Sequence, residues 1–191
     1  MSKIFTKKEI RDLIISVIVL ALIFSSFNLG NFLTTLFIVL IVFVPHEILG
    51  HKIVAQHFGC SAEYRIWFLG LLLGIITALF PVGIIFAAPG AVYISPIIRK
   101  KFAFSVAHLT KREYGLISLA GPAVNIIIGI GLLVISSFFP LELFVLSAKL
   151  SFFLAFFNLI PIFPLDGWKI LAWNKTVWLF SIVLASIGSF F

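Results

Sequence analysis

The run LIISVIVLALIFSSFNL, Leu13–Leu29, holds 17 residues and no ionisable side chain. Further apolar runs follow it, and a stretch of about 20 such residues crosses a bilayer as a helix. In hydrocarbon the backbone has no water to bond, so each run must satisfy its own N–H and C=O groups by coiling. Composition agrees: of 191 residues 62% are hydrophobic and 11% charged, with mean hydropathy +1.23, against about 25% charged in a soluble domain. The chain reads as an all-α polytopic membrane protein, one domain over residues 1–191, with about five to six transmembrane helices. The formal charge of +7 would suit nucleic acid, but no basic stripe interleaved with aromatics accompanies it. In a membrane chain basic residues mark cytoplasmic loops, so no nucleic-acid partner is expected. A single cysteine, Cys60, excludes an internal disulfide framework and reads as apolar filler.

The first helix is expected over Leu13–Leu29, retained rather than cleaved, because the run exceeds a typical signal core and lacks an A-x-A site. Gly30-Asn31 would turn the chain into a second helix from about Phe32 to Phe58, which emerges into water at Lys52, Gln56 and His57. Further helices are expected at about Tyr114–Phe139, within Leu141–Ile160, and over the short run Val177–Phe191, which the neighbouring GWKILAW would extend. Lys3, Lys7, Lys8 and Arg11 place the N-terminus in the cytoplasm. Lys52, Arg65 and the five Lys or Arg of Arg99–Glu113 belong on the same side. The apolar stretch Trp67–Ile94, broken by Pro81, Gly83, Pro89 and Gly90, must then enter and return. Irregular backbone survives at that depth only when buried in protein or lining a cavity. A small membrane-associated β hairpin or re-entrant loop is expected, and Glu63 and Arg65 alternate with apolar residues as a strand would. The implied location is a cell membrane, multi-pass. Trp67, Trp168, Trp173 and Trp178 read as interfacial anchors, Lys149 as snorkelling, and His57 and His108 as solvated.

Polar residues recur where hydrocarbon should exclude them: His46, Glu47 and His51 on the second helix, Asn125 in LAGPAVN, and Asn158 and Asp166 in FNLIPIFPLDG. Hydrogen-bonding glue between helices accounts for an isolated Asn, but ionisable groups at membrane depth mark function. At 1.5 Å per residue His46 lies about 21 Å along its helix, toward the cytoplasmic side, and Asn158 reaches a similar level. Pro161 and Pro164 end that helix, leaving Asp166 on an unwound segment that Gly167 helps to turn. Two imidazoles and a carboxylate with an open fourth position make a catalytic zinc set. Glu47 would then serve as general base, and Asn158 would hold the scissile carbonyl or its oxyanion.

HEILGH, AGPAVN and FNLIPIFPLDGWKI together resemble the site-2 protease family of intramembrane zinc metalloproteases, notably its short prokaryotic and archaeal members. The N-x-x-P-x-x-P-x-D-G segment matches throughout, as Asn158, Pro161, Pro164, Asp166 and Gly167, and the G-P-x-x-N element falls on Gly121, Pro122 and Asn125. The resemblance covers about Phe32 to Ile170. It implies one Zn2+ per chain held by His46, His51 and Asp166, with Glu47 and Asn158 catalytic. The substrate would be a transmembrane peptide or membrane-protein segment, cut within the lipid bilayer, beside a sheet that pairs with the unwound substrate and whose candidate strands here are Glu63–Trp67 and Gly90–Ile94.

One departure stands out. The family's H-E-x-x-H spaces its histidines by four residues, whereas His46 and His51 are five apart. On a regular α-helix five residues turn about 500° and rise about 7.5 Å, so the two rings diverge by about 140°. Three resolutions stay open. A π-bulge would absorb the surplus residue, aided by Pro45 and Gly50. Glu47 and His51, four apart, could ligate instead, with His46 as base. Or the site is broken, and the protein binds transmembrane helices without cutting them. Deleting Gly50 restores the four-residue spacing, which a bulged site would be expected to tolerate.

Overall fold

Apolar runs that must bond their own backbone coil, and the computed structural model, which describes residues 5–80, 85–96 and 109–189, is mostly helical. Helix α1 (Lys7–Phe24) starts at Thr6, whose hydroxyl accepts from the Glu9 N–H at 3.1 Å. The chain reverses at residues 25–28, with Ser26 and Phe27 at φ 52° and 58°, and the Asn28 side chain caps α2 (Leu29–Pro45) by accepting from the Gly30 N–H. The turn therefore precedes the Gly30-Asn31 pair expected to make it. Helix α2 runs without a break through a π-helix (His46–Lys52) into the short α3 (Ile53–His57). After the sheet region come α5 (Lys111–Phe138), α6 (Glu142–Leu159), α7 (Asp166–Trp173) and α8 (Lys175–Ser189). The GWKILAW segment is thus a separate helix, divided from the last by Asn174, whose side chain accepts from the Thr176 and Val177 N–H groups.

Among the described residues three helices are long and apolar enough to cross a membrane: Leu29–His57, Lys111–Phe138 and Glu142–Leu159. The expectation of five to six spans is not met. Helix α1 opens with Lys7, Lys8, Glu9, Arg11 and Asp12, and its acids are buried against protein. Helices α4 (Phe68–Leu79) and α8 have 12 and 15 residues, short of the roughly 20 a span needs.

The expected strands exist and pair. β1 (Cys60–Ile66) runs antiparallel to β2 (Gly90–Pro96), with Cys60 opposite Pro96 and Ile66 opposite Gly90. The stretch between them contains α4, and residues 81–84 lie outside the described ones, as do His108 and most of the basic segment Arg99–Glu113. Trp67 ends the strand instead of joining it, and its N–H bonds the Pro89 carbonyl at 2.9 Å. Helix α1 covers the outer side of β1. Glu9 Oε1 accepts from the Tyr64 N–H at 3.0 Å, and the Tyr64 hydroxyl donates to Ser16 Oγ at 2.8 Å.

Three apolar clusters hold the elements together, the smallest joining α3, β1 and α5 through Ala55, Cys60, Ala62 and Ile117. Of the other two, one joins α1, α2 and α6 through Leu20, Val39, Val42, Leu154 and Phe157; the second joins α6, α7 and α8 through Phe152, Leu159, Ile170 and Ala185. Phe152 sits between two glycines: a Cβ at Gly129 would stand 2.7 Å from its ring, and one at Gly188 would meet the same ring. Small residues at crossings replace the hydrophobic drive that lipid removes. Trp173 packs on Gly115, and Trp178 donates its indole N–H to the Leu159 carbonyl at 2.8 Å.

Candidate metal centre

Proline at 45 has no N–H to give the preceding turn, and from His46 the helix widens. The Ile53 N–H reaches the Ile48 carbonyl, five residues back, which defines the π geometry. A turn of five residues brings His46 and His51 onto one face. Their rings lie 4.8 Å apart between centroids, with the two Nε2 atoms 3.2 Å apart. Of the local geometries left open by the spacing, the π-bulge is the one observed.

The carboxylate arrives from the other end of the chain. Helix α6 stops at Leu159, residues 160–165 run irregularly past Pro161 and Pro164, and Asp166 opens α7. It stands on the first turn of a helix, where an unwound segment was expected. Gly167 serves close approach: a Cβ there would fall on the Leu159 carbonyl and 2.6 Å from the Ile160 oxygen. Asp166 Oδ2 thereby comes within 3.1 Å of His51 Nε2. His46, His51 and Asp166 each offer one atom, and all lie within 4.8 Å of one another, buried. Glu47 is not in this convergent set, so the alternative pairing of Glu47 with His51 is not the one assembled.

These residues suit a metal ion. His51 Nδ1 sits 2.9 Å from the Ile117 carbonyl. A carbonyl only accepts, so Nδ1 carries a proton, and Nε2, which faces His46 and Asp166, is the nitrogen that could ligate. A backbone carbonyl holding the far nitrogen is the usual support for a ligating imidazole. The space is kept open by a missing side chain: a Cβ at Gly121 would fall on His51 Nε2 and 2.8 Å from His46 Nε2. Imidazoles and a carboxylate together are the donor set of catalytic zinc.

Glu47, 5% exposed, leaves Oε2 without a hydrogen-bond partner among the described residues. Asn158, in the last turn of α6, donates to the Leu154 carbonyl at 2.9 Å. It lines a cavity of about 230 Å³ together with His51, Asp166 and the β2 residues Ala91–Ile94. Asn125 stays apart, fully buried one turn beyond Gly121, with its own carbonyl accepting from Ser151 Oγ at 2.8 Å. His57 is exposed at the end of α3.

Two residues escaped the sequence reading. Lys169 lines the same cavity and bonds Asp166 Oδ1 at 3.2 Å, so one carboxylate oxygen faces the histidines and the other a cation. The D-x-x-K spacing, which places both on one helix face, was the available signal. Lys52, expected in water, is instead buried. The helix carrying it ends beneath α1, and Glu9 supplies the charge that water would otherwise have to match.

Two curated proteins of Methanocaldococcus jannaschii resemble this chain. "Putative zinc metalloprotease MJ0611" is 38% identical over 181 residues, 91% of this chain and 88% of that protein. "Zinc metalloprotease MJ0392" is 35% identical over 156 residues, 77% of this chain and 36% of that protein's length. No family model matches the chain, and no solved structure matches it.

Proposed function

This chain belongs to the zinc metalloprotease family of those two archaeal proteins, and from that premise we propose an intramembrane zinc endopeptidase of the site-2 protease type. The observation that carries the proposal is the π-helix, which sets His46 and His51 3.2 Å apart at a carboxylate drawn from a distant helix. His46, His51 and Asp166 would hold one zinc ion. When bound, zinc supplies Lewis acidity, polarising a carbonyl and lowering the pKa of an attacking water toward about 7. Glu47 accepts the proton of that water and delivers it to the departing amine. Asn158 orients the scissile carbonyl and steadies the charge it develops. Lys169 keeps Asp166 in one orientation.

The substrate follows from the surroundings. A helical peptide hides its carbonyls, so a transmembrane segment must unwind to be cut. Helix α1 covers the outer side of β1, whereas β2 lines the cavity. An unwound segment adding to β2 as a third strand would be held through its backbone with little demand on sequence. The metal site lies at the end of the bundle where α1, α5 and α8 begin, and those starts carry Lys7, Lys8, Arg11, Lys111, Arg112 and Lys175. By the positive-inside rule that end would face the cytoplasm, in a single multi-pass domain of the cell membrane.

Metal analysis and cleavage of a transmembrane peptide test the reading together. Wild type should carry close to one zinc per chain, His51→Ala and Asp166→Ala should carry none, and Glu47→Gln should keep zinc while losing cleavage. Zinc lost in Glu47→Gln would overturn the assignment of the base. Zinc bound with no cleavage of any membrane peptide would leave a binder in place of an enzyme.

A further inference from the structure

Lys52 follows His51 directly and shares the last turn of the π-helix, yet it is 3% exposed. Its ammonium meets Glu9 Oε2 at 2.5 Å, and Glu9 is 1% exposed. The second oxygen of Glu9 accepts from the Tyr64 N–H at 3.0 Å, and the Phe5 ring centre lies 4.2 Å from the ammonium. Helix α1, strand β1 and the π-helix therefore meet at one carboxylate.

A buried ion pair adds little net stability over an apolar pair of similar volume, because both charges lose their hydration. What such a pair does supply is position. A π-helix holds one residue more per turn than its neighbours, and the surplus can sit at several places along a helix. Its place depends on what grips the two ends. Pro45 marks the upstream end by lacking an N–H. At the downstream end the grips are His51 on the Ile117 carbonyl and Lys52 on Glu9.

We propose that Glu9 is a positioning residue of the metal centre: through Lys52 it fixes the downstream end of the π-helix, and with it the angle at which His51 meets His46 and Asp166. The proposal rests on reading those three residues as metal ligands. It makes the first helix part of the site, although none of its residues joins the ligand set.

The test uses the full chain in detergent, with cobalt(II) as a probe whose visible spectrum reports ligand geometry, alongside zinc affinity from chelator competition. Glu9→Gln with Lys52→Met removes both charges while keeping an acceptor for the Tyr64 N–H. The expected result is a folded protein with an unfolding midpoint near wild type, zinc affinity at least tenfold weaker and an altered cobalt spectrum. Glu9→Gln keeps an acceptor for the Tyr64 N–H but leaves Lys52 unpaired, and should shift affinity and spectrum in the same direction. Wild-type affinity and spectrum in either folded variant overturn the proposal. So does unfolding of both, since the pair would then serve the fold alone. A wild type that takes up no cobalt overturns the ligand assignment itself, and this proposal with it, whereas binding in wild type and variants alike overturns only the role of Glu9.

Discussion

Gly50→Ala is the smallest change that should disturb the metal centre. An ideal Cβ at Gly50 lies 2.6 Å from Gly121 Cα, 2.8 Å from Gly121 N and 3.0 Å from the Ala120 carbonyl carbon. All three are backbone atoms of α5, so no side chain can rotate away. Ordinary contact begins near 3.4 Å, so the π-helix and α5 must part by about 0.8 Å, the kind of backbone shift that overpacking forces. The bond from His51 Nδ1 to the Ile117 carbonyl spans that seam at 2.9 Å. Stretched by the same amount it would reach about 3.7 Å, beyond hydrogen-bond range. Overpacking and the lost bond together should cost about 2–4 kcal/mol of stability. Losing the support of a ligating imidazole should weaken zinc binding by about 10–100-fold. Unfolding midpoints and chelator competition measure the two effects. Gly131→Ala is the control, since no atom stands within 4 Å of its Cβ and alanine favours a helix by about 1 kcal/mol. Should Gly50→Ala keep the wild-type midpoint and zinc affinity, the Gly50–Gly121 contact does not set the distance between the π-helix and α5.

Other substitutions probe the surroundings. Spacing alone suggested that a bulged site would tolerate deletion of Gly50, but the deletion brings Leu49 to the position before His51, against the Gly121 backbone, so zinc should be lost; retention would mean a regular helix serves as well. Lys169→Met should weaken zinc binding by about tenfold, at the low end for supporting residues because the side chain is partly solvated, while Lys169→Arg should stay near wild type; equal affinities in the two would remove Lys169 from the site. Cys60 is buried on β1, and burial, with Glu113 nearby, raises its thiol pKa. The thiolate fraction is therefore lowered at every pH below that value, and maleimide should label the native protein far more slowly than the unfolded chain. Equal labelling rates would place Cys60 at the surface.

The residues proposed for the metal centre were legible from local pattern, because chemistry limits which side chains hydrocarbon tolerates. His46, Glu47, His51, Asn158 and Asp166 are polar groups in apolar runs, and the prolines between Asn158 and Asp166 announce where the helix must stop. Strand β1 was partly legible as alternation at Glu63 and Arg65, whereas β2 was expected only through the family resemblance. The number of crossings was not legible. A run of apolar residues says that a segment avoids water, but Glu9 and Asp12 draw α1 onto the sheet, and α4 and α8 stop short of a span.

The spacing of the two histidines divides what the linear chain decides from what it leaves open. Five residues between ligands are incompatible with a regular α-helix, a consequence of helical geometry that needs no structure. Whether the helix widens, breaks or abandons one ligand depends on groups far away in sequence: Ile117 and Gly121 on α5, Glu9 on α1, and Asp166 beyond two prolines. A π-turn is unfavourable by itself and persists only where contacts from other elements outweigh its cost. Those contacts come from packing in three dimensions, and no local window of sequence contains them.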